Sequence, residues 1–266
     1  MKVRIKFAKS GIARFIGHLD VMRYFQKAVR RAGIAIRYSG GFSPHQLMSF
    51  AAPLGVGITS HGEYLDIEVE DDEETASMKE RLNQVMAEGF SIVSCLVLPK
   101  EAGNAMSMVA AARYTLAFRP GYSPENAKDW FRSLVQFYEQ KEVRITKKTK
   151  KGEKEIDLKP LIYQISAEVS NDSFLSETSD SSEVTPVFPV LSMLISTGST
   201  ENIKPELVLD AYYQHLGQER PAFAFIIQRE EVYARQSPES SNNAGAFLPL
   251  EAFGIRPGHG QGGCLE

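Results

Sequence analysis

The sequence predicts an α+β protein made of two tandem ferredoxin-like units, each a βαββαβ run with an antiparallel sheet and both helices on one face. Three observations carry that prediction. Over the first hundred residues, stretches with an apolar period of two and stretches with a helical period follow in the order strand, helix, strand, strand, helix, strand. A comparable order restarts near Arg113. A chain of 266 residues also has room for two domains of about 100–150 residues each. The expected boundaries are 1–100 for the N-terminal unit, 101–112 for a connector, 113–235 for the second unit and 236–266 for a polar, glycine-rich tail with little order.

The elements of the first unit follow from spacing. Lys2 to Phe7 places Val3, Ile5 and Phe7 on one side and Lys2, Arg4 and Lys6 on the other, which reads as a half-buried strand with a basic face. Lys9 to Arg14 is a turn. From His18 to Ala32, Leu19, Met22, Phe25, Val29 and Ala32 recur at spacings of three and four and give a helix one apolar face. Asp20, Arg23, Lys27 and Arg30 or Arg31 form the opposite stripe. Asp20 in the first turn and Arg30-Arg31 in the last suit the helix dipole, at about 0.3–1 kcal/mol each. Gly33 suits the left-handed residue that follows a helix. Ile34 to Tyr38 reads as the second strand and Gly62 to Glu70 as the third. Asp71 to Glu74 brings carboxylates to the start of a helix that turns Met78, Leu82, Val85 and Met86 inward and ends at Gly89. Phe90 to Leu98 is the fourth strand, closed by Pro99.

In the second unit, Arg113 to Phe118 is a strand and Pro124 to Lys141 a helix with Trp130, Leu134 and Phe137 inward. Glu142 to Thr149 and Glu153 to Val169 form a hairpin around Lys150 to Gly152, bent at Pro160, which has no amide hydrogen for a central ladder. Residues 170–186 are serine-rich and acidic and read as a mobile loop. Phe188 to Ser196 is a strand, Pro205 to Leu216 a helix with Leu207, Leu209, Tyr212 and Leu216 inward, and Phe223 to Tyr233 the last strand.

Composition excludes several function classes. No apolar run approaches the roughly 20 residues that cross a bilayer, and the start lacks a signal-peptide core, so a cytoplasmic protein without a membrane partner is expected. Two cysteines, Cys95 and Cys264, supply neither a disulfide framework nor a cysteine-only cluster site. Cys95 sits in the apolar run Ile92 to Leu98 and is expected to be buried. No phosphate-binding Walker loop or dinucleotide fingerprint is present, and Gly40-Gly41 alone is neither. His18 and Asp20 with His45 or His61 lack tight ligand spacing, so no metal is expected.

Charge is uneven. Residues 1–50 hold ten Lys or Arg against one acid, Asp20, on a chain of net charge -3. A basic end on an acidic chain implies an anionic partner on one face, most simply a nucleic acid. A solvated basic surface or an acidic protein partner accounts for the same count. Around these cations lie Phe15, Tyr38 and Phe42 and the glycine turn Tyr38-Ser-Gly-Gly-Phe-Ser-Pro-His45. Cations meet phosphates, exposed rings stack on unpaired bases for about 1–3 kcal/mol each, and glycine lets backbone amides approach a phosphate. Core packing of the rings is the competing expectation.

The words Arg14-Phe-Ile-Gly-His-Leu-Asp20, Arg30-Arg-Ala-Gly33, Tyr38 to His45, Ser49-Phe, Pro53-Leu-Gly-Val-Gly57 and Glu63-Tyr-Leu-Asp-Ile67 resemble the bacterial radical-SAM-linked protein family. The match is dense over residues 1–70 and thins to Ile156-Asp-Leu-Lys-Pro160 beyond them. Such proteins occur beside, or fused to the end of, a radical SAM protein. The resemblance implies that partner, with the iron–sulfur cluster and S-adenosylmethionine held on it. A radical SAM enzyme needs three closely spaced cysteines for its cluster, and this chain has two, far apart. The family's genes often lie near those of ribosomal proteins and an RNase G-type nuclease, which implies an RNA-related task, although the family has no established activity. The chain departs from the family at Gln46-Leu47, where proline and then a basic residue are more usual, so no cation is expected to act there.

The candidate binding residues are therefore Arg14, Phe15, His18, Asp20, Arg23, Lys27, Arg30, Tyr38, Gly40, Gly41, Phe42, Ser43, His45, Ser49 and Glu63. His18, His45 and Tyr38 are the catalytic candidates, being types that move protons. The favoured reading is an accessory protein of a radical SAM enzyme that binds RNA or presents a substrate through its basic face, and is no enzyme on its own. The alternatives are a metal-independent RNA-processing or RNA-modifying enzyme, and an assembly factor for an acidic protein. Tandem ferredoxin-like units with a glycine-rich loop are similar in fold to the CRISPR repeat-processing endoribonucleases, a likeness of fold alone.

Overall fold

The computed structural model describes residues 1–70, 73–149, 152–171, 188–198, 201–236 and 246–255. Asp71-Asp72, the turn at Lys150-Lys151, most of the serine-rich stretch, and the tail beyond 255 with Cys264 lie outside the described residues. Eleven strands and five α-helices are present among those described. The chain divides into two compact units: Met1–Ala111 together with the described part of Glu231–Glu266, and Ala112–Glu230.

The strands overturn the prediction of two tandem ferredoxin-like units with separate antiparallel sheets. One nine-stranded sheet runs β4-β1-β3-β10-β5-β9-β8, with β2 on β3 and β11 on β10, and β6 pairs with β7 in a separate hairpin. The reason lies at β3 (Thr59–Glu68). The expected second strand, Ile34 to Tyr38, makes only the isolated bridges Ile36↔Val69 and Tyr38↔Gln46. The β2 that does form is three residues long, Met48–Phe50, and reaches only from Ile67 to Leu65 of β3. The rest of a ten-residue strand edge must find other backbone partners. In the strand order the eleven-residue β10 (Phe225–Arg235) comes next to β3. The likeness to the tandem endoribonucleases falls with the predicted fold.

In the first unit β1 (Lys2–Lys9) lies between β3 and β4 (Phe90–Val97), antiparallel to both. Its alternation works as predicted on one face. Val3, Ile5 and Phe7 pack against Val21, Phe25 and Val29 of α1 (His18–Arg31) and Met78 and Leu82 of α2 (Thr75–Val85). Gly33, at φ +66, ends α1. Leu19, assigned inward from its spacing, is exposed instead. The stripe that is buried is Val21, Phe25, Ala28 and Val29, and Leu19 sits two residues, or about 200° around the helix, from Val21. The opposite face of β1 is exposed at Lys2 but covered at Arg4 and half-covered at Lys6. Residues 247–253, placed in the polar tail by the sequence, form β11 (Phe247–Pro249) and a 3-10 turn whose Leu250 is fully buried, and the Leu250 carbonyl accepts from Arg4 Nη1 at 2.9 Å.

The expected connector holds a short α3 (Ala105–Met108) and the start of β5 (Val109–Phe118). In the second unit, α4 (Ala127–Phe137) packs Phe131 and Leu134 inward, and Trp130 joins Phe118, Tyr212 and Phe225 in an aromatic cluster. β6 (Arg144–Thr149) and β7 (Gly152–Asp157) pair, and the bend at Pro160 is a 3-10 turn leading into β8 (Ile162–Ser170). β9 spans Phe188–Ser196 and α5 Pro205–His215. α5 buries Val208, Leu209, Ala211, Tyr212 and Tyr213, while Leu216, also assigned inward, is exposed. No described helix is long and apolar enough to cross a membrane.

Candidate functional site

Nine of the ten cations of residues 1–50 separate into two populations, and Arg14 stands apart from both. On and beside β1, Arg4, Lys6 and Lys9 are buried or half-buried against protein partners, while Lys2 and Arg37 pair with an acid at the surface. Arg4, 1 % exposed, grips Asp66 through Nε–Oδ1 at 2.8 Å and Nη2–Oδ2 at 2.9 Å. Lys6 lies 2.6 Å from Glu231 and 3.3 Å from Glu251. Burial pulls the Lys6 ammonium down in pKa, but its contacts with Glu231 and then Glu251 outweigh that and hold it above the ordinary lysine value. Tyr64 donates to the same Glu231 at 2.7 Å, and burial followed by that carboxylate drives its phenol far up. Lys2 and Arg37 meet Glu68 at 4.0 and 3.2 Å. Lys9, buried, donates to the Ile16 carbonyl at 2.7 Å. The expectation of a ten-cation face is corrected accordingly: Arg4 and Lys6 on β1's polar face meet carboxylates and the 247–253 segment, and only Lys2 of that face stays exposed.

The second population stays outside. Arg23, Lys27, Arg30 and Arg31 are exposed on α1, with Asp20, 3.3 Å from Arg23, as the acid of that stripe. Arg31 also donates to the Val85 carbonyl and lies over the Tyr24 ring. Beside the helix stands the glycine turn. Ser39 and His45 close its base: His45 N donates to Ser39 Oγ at 3.1 Å, His45 Nδ1 lies 2.8 Å from the same oxygen, and Ser39 N donates to the His45 carbonyl at 2.8 Å. Between them Gly41 takes φ +97, a conformation glycine adopts without strain, and Gly40, Phe42 and Ser43 are exposed, Phe42 completely. Gln46 anchors the turn to the helix by donating from Nε2 to the Gln26 carbonyl at 3.2 Å, with the Tyr38 hydroxyl 3.5 Å from the same nitrogen.

The catalytic candidates do not share a pocket. His18 packs edge-on to Phe50, ring centroids 5.5 Å apart, and lines a hollow with Lys9 and Glu63. That hollow holds about 10 Å3, the room of a single water. His45 and Ser49 line a different cleft of about 200 Å3. Ser49 Oγ donates to Asn104 Oδ1 at 3.1 Å there, and Asn104 caps α3 by accepting from Met106 N at 2.9 Å. Tyr38 belongs to the turn. Arg14 accepts Gly57 N at its carbonyl, at 2.8 Å, and lays its guanidinium 4.9 Å from the Phe15 ring centroid. Phe15 is exposed, as are Ile12, Leu19 and Val56. Among the described residues no group of three or more His, Cys, Asp or Glu is placed to hold a metal.

A family model matches residues 2–205. The chain belongs to the family described as an uncharacterized protein conserved in bacteria (DUF2344). The match takes in every candidate residue named above and stops within α5, so Glu231 and Glu251 fall outside it. Comparison with curated proteins gives no match.

Sequence reasoning overlooked Lys9, Gln46, Asp66 and Asn104. Lys9 carried a signal: on period two it falls on the side of Val3, Ile5 and Phe7, the buried side of β1. Asp66 carried one as well, as an acid within a strand that must meet a basic one. Gln46 and Asn104 carried none, because their roles depend on which loops meet.

Proposed function

We propose that this chain is a non-catalytic accessory protein that binds RNA along α1 and the adjoining glycine turn and works beside a radical SAM enzyme. The observation that carries the RNA reading is the row Arg23, Lys27 and Arg30, exposed on one helix, with a wholly exposed Phe42 on a turn bonded to that helix through Gln46. Spacings of four and three keep such cations on one side of a helix, matched to a phosphate chain, and the ring next to them can stack on a base. The partnership with a radical SAM enzyme rests on the resemblance of residues 14–67 to that enzyme's linked proteins. The exposed Ile12, Phe15, Leu19 and Val56 support a protein contact, since apolar groups left in water near one another mark interaction surfaces.

The test is binding of fluorescein-labelled single-stranded RNA, read by anisotropy, in the parent and in Arg23→Glu/Lys27→Glu/Arg30→Glu. These side chains are exposed, so folding should be unaffected. Loss of binding in the triple variant is expected; equal binding in both proteins overturns the reading. For the partnership, a radical SAM protein should co-purify with the parent from its host cells and be lost on Phe15→Glu/Leu19→Glu.

A further inference from the structure

Within the first unit, the chain that follows β11 lies across the sheet in the manner of a bound peptide. We infer that the face beneath it is a recognition groove for extended segments of the pattern Leu-Glu-x-x-Gly, filled at rest by the chain's own Leu250, Glu251 and Gly254. From its ladder on β10 this segment crosses the polar face of β1 and ends on β4. Three positions carry the contact. Leu250 is fully buried, and its carbonyl accepts from Arg4 Nη1 at 2.9 Å. The Glu251 carboxylate takes Lys6 Nζ at 3.3 Å on one oxygen and the Ser94 hydroxyl at 3.3 Å on the other. At Gly254 the backbone rests on Leu96: a Cβ there would come 2.5 Å from the Leu96 Cβ, so a side chain would drive the segment off the sheet. Ile255 N then donates to the Val97 carbonyl at 2.8 Å. A buried apolar anchor, a paired acid and a glycine at close approach select a sequence, while the backbone bonds add affinity.

What marks the segment as a ligand rather than a core element is the groove without it. Arg4 keeps Asp66 at 2.8 and 2.9 Å and the Gly103 carbonyl at 3.2 Å. Lys6 keeps Glu231 at 2.6 Å, and the Tyr64 hydroxyl keeps the same carboxylate at 2.7 Å. Lifting the segment therefore strands no buried charge, the loss that makes such elements hard to remove. It opens the site that Leu250 fills and returns the Ser94 hydroxyl to water. The tether is slight. β11 shares a three-residue ladder with β10, from Tyr233↔Pro249 to Arg235↔Phe247, and residues 236–245 between them hold no large apolar side chain. A partner protein with Leu-Glu-x-x-Gly in an extended stretch meets the same anchor, cation and close approach, and takes the groove by displacing the tethered copy. A short tether holds that copy at about millimolar effective concentration, so the intact chain binds such a partner more weakly than a vacated groove does. The groove lies on the face of β1 opposite α1 and stands independently of the RNA reading.

Peptide binding to the full chain tests this. The probe is a synthetic, fluorescein-labelled peptide of residues 246–255, read by anisotropy against the parent and against Leu250→Asp/Gly254→Val, whose own segment no longer fits. The vacated variant should bind the peptide, and the parent should bind it at least about tenfold more weakly. Peptides carrying Leu250→Asp or Gly254→Val should not bind, and one carrying Glu251→Gln should bind about tenfold more weakly, the worth of one hydrogen bond to a charged group. A vacated variant that melts cooperatively yet binds no peptide overturns the groove, as does one that binds the altered peptides equally well. Equal binding by parent and vacated chain overturns it too. Should the double variant fail to fold, hydrogen exchange on the parent decides. Amides of residues 250–255 should exchange roughly a hundredfold or more faster than those of β1 and β3, because the segment opens while the sheet stays closed. Exchange as slow as that of β1 overturns the inference.

Discussion

Replacing Asp66 with alanine tests whether the cations of β1 are structural. Arg4 is 1 % exposed and the Asp66 side chain 11 %, and two hydrogen bonds of 2.8 and 2.9 Å join them. Removing the carboxylate leaves a buried guanidinium uncompensated, at about 3–5 kcal/mol. It also removes the acceptor of Ala105 N, bonded to Asp66 Oδ2 at 2.8 Å. For a domain of about 150 residues or more, each kcal/mol moves the Tm by about 2–4 °C, so a fall of roughly 6–20 °C is expected. Arg23→Ala, on the exposed stripe, should stay within about 0.5 kcal/mol of the parent. Arg4→Met/Asp66→Leu should recover most of the loss, because two apolar groups of similar volume leave no charge behind. Thermal unfolding by circular dichroism reads all three. An Asp66→Ala loss below about 1 kcal/mol would refute the division between buried and exposed cations.

Burial pushes the Cys95 thiol up to about 12, with Lys79 opposing weakly. In a Cys264→Ser background, Cys95 should resist a thiol reagent at pH 8 in the native state and react on unfolding in urea. The unfolded chain ionises this thiol at its ordinary value of 9.0, so the stability it contributes is present below that pH and lost as pH rises toward about 12; Cys95→Ala should flatten that alkaline fall. Gly89 holds φ +88, and a Cβ there would lie 2.6 Å from the Ser10 carbonyl oxygen and 2.8 Å from Ala13 Cβ. Gly89→Ala should therefore cost on the order of 2 kcal/mol in urea unfolding, and a change within 0.5 kcal/mol would contradict the close approach.

Elements set by local pattern were legible in the sequence. The β9 bounds, α1 from His18, α5 from Pro205 and the Gly33 terminus all follow from period, capping and backbone preference, which act within a few residues. What the sequence hid was pairing over distance. Whether β3's edge meets Ile34 to Tyr38 or β10 is decided by residues more than 150 positions away, and alternation carries no label for a partner strand. The same limit shaped the candidate site. A row of Lys and Arg reads alike whether it faces water or a buried carboxylate, so Arg4 and Lys6 counted toward a basic surface until Asp66, Glu231 and Glu251 were located. The helix stripe was readable, since its spacing fixes Arg23, Lys27 and Arg30 opposite Phe25 and Val29. The separation of His18 from His45 was not, because it depends on which loop each one lines.

The salt dependence of RNA binding tests the central claim most directly. If Arg23, Lys27, Arg30 and Arg31 each neutralise one phosphate, log K should fall with log salt at a slope of about −2.8 for a single strand, or roughly 50-fold between 50 and 200 mM. In Arg23→Ala/Lys27→Ala/Arg30→Ala one cation remains, and the slope should drop to about −0.7, less than threefold over the same range. A slope that is the same in both proteins would contradict the account.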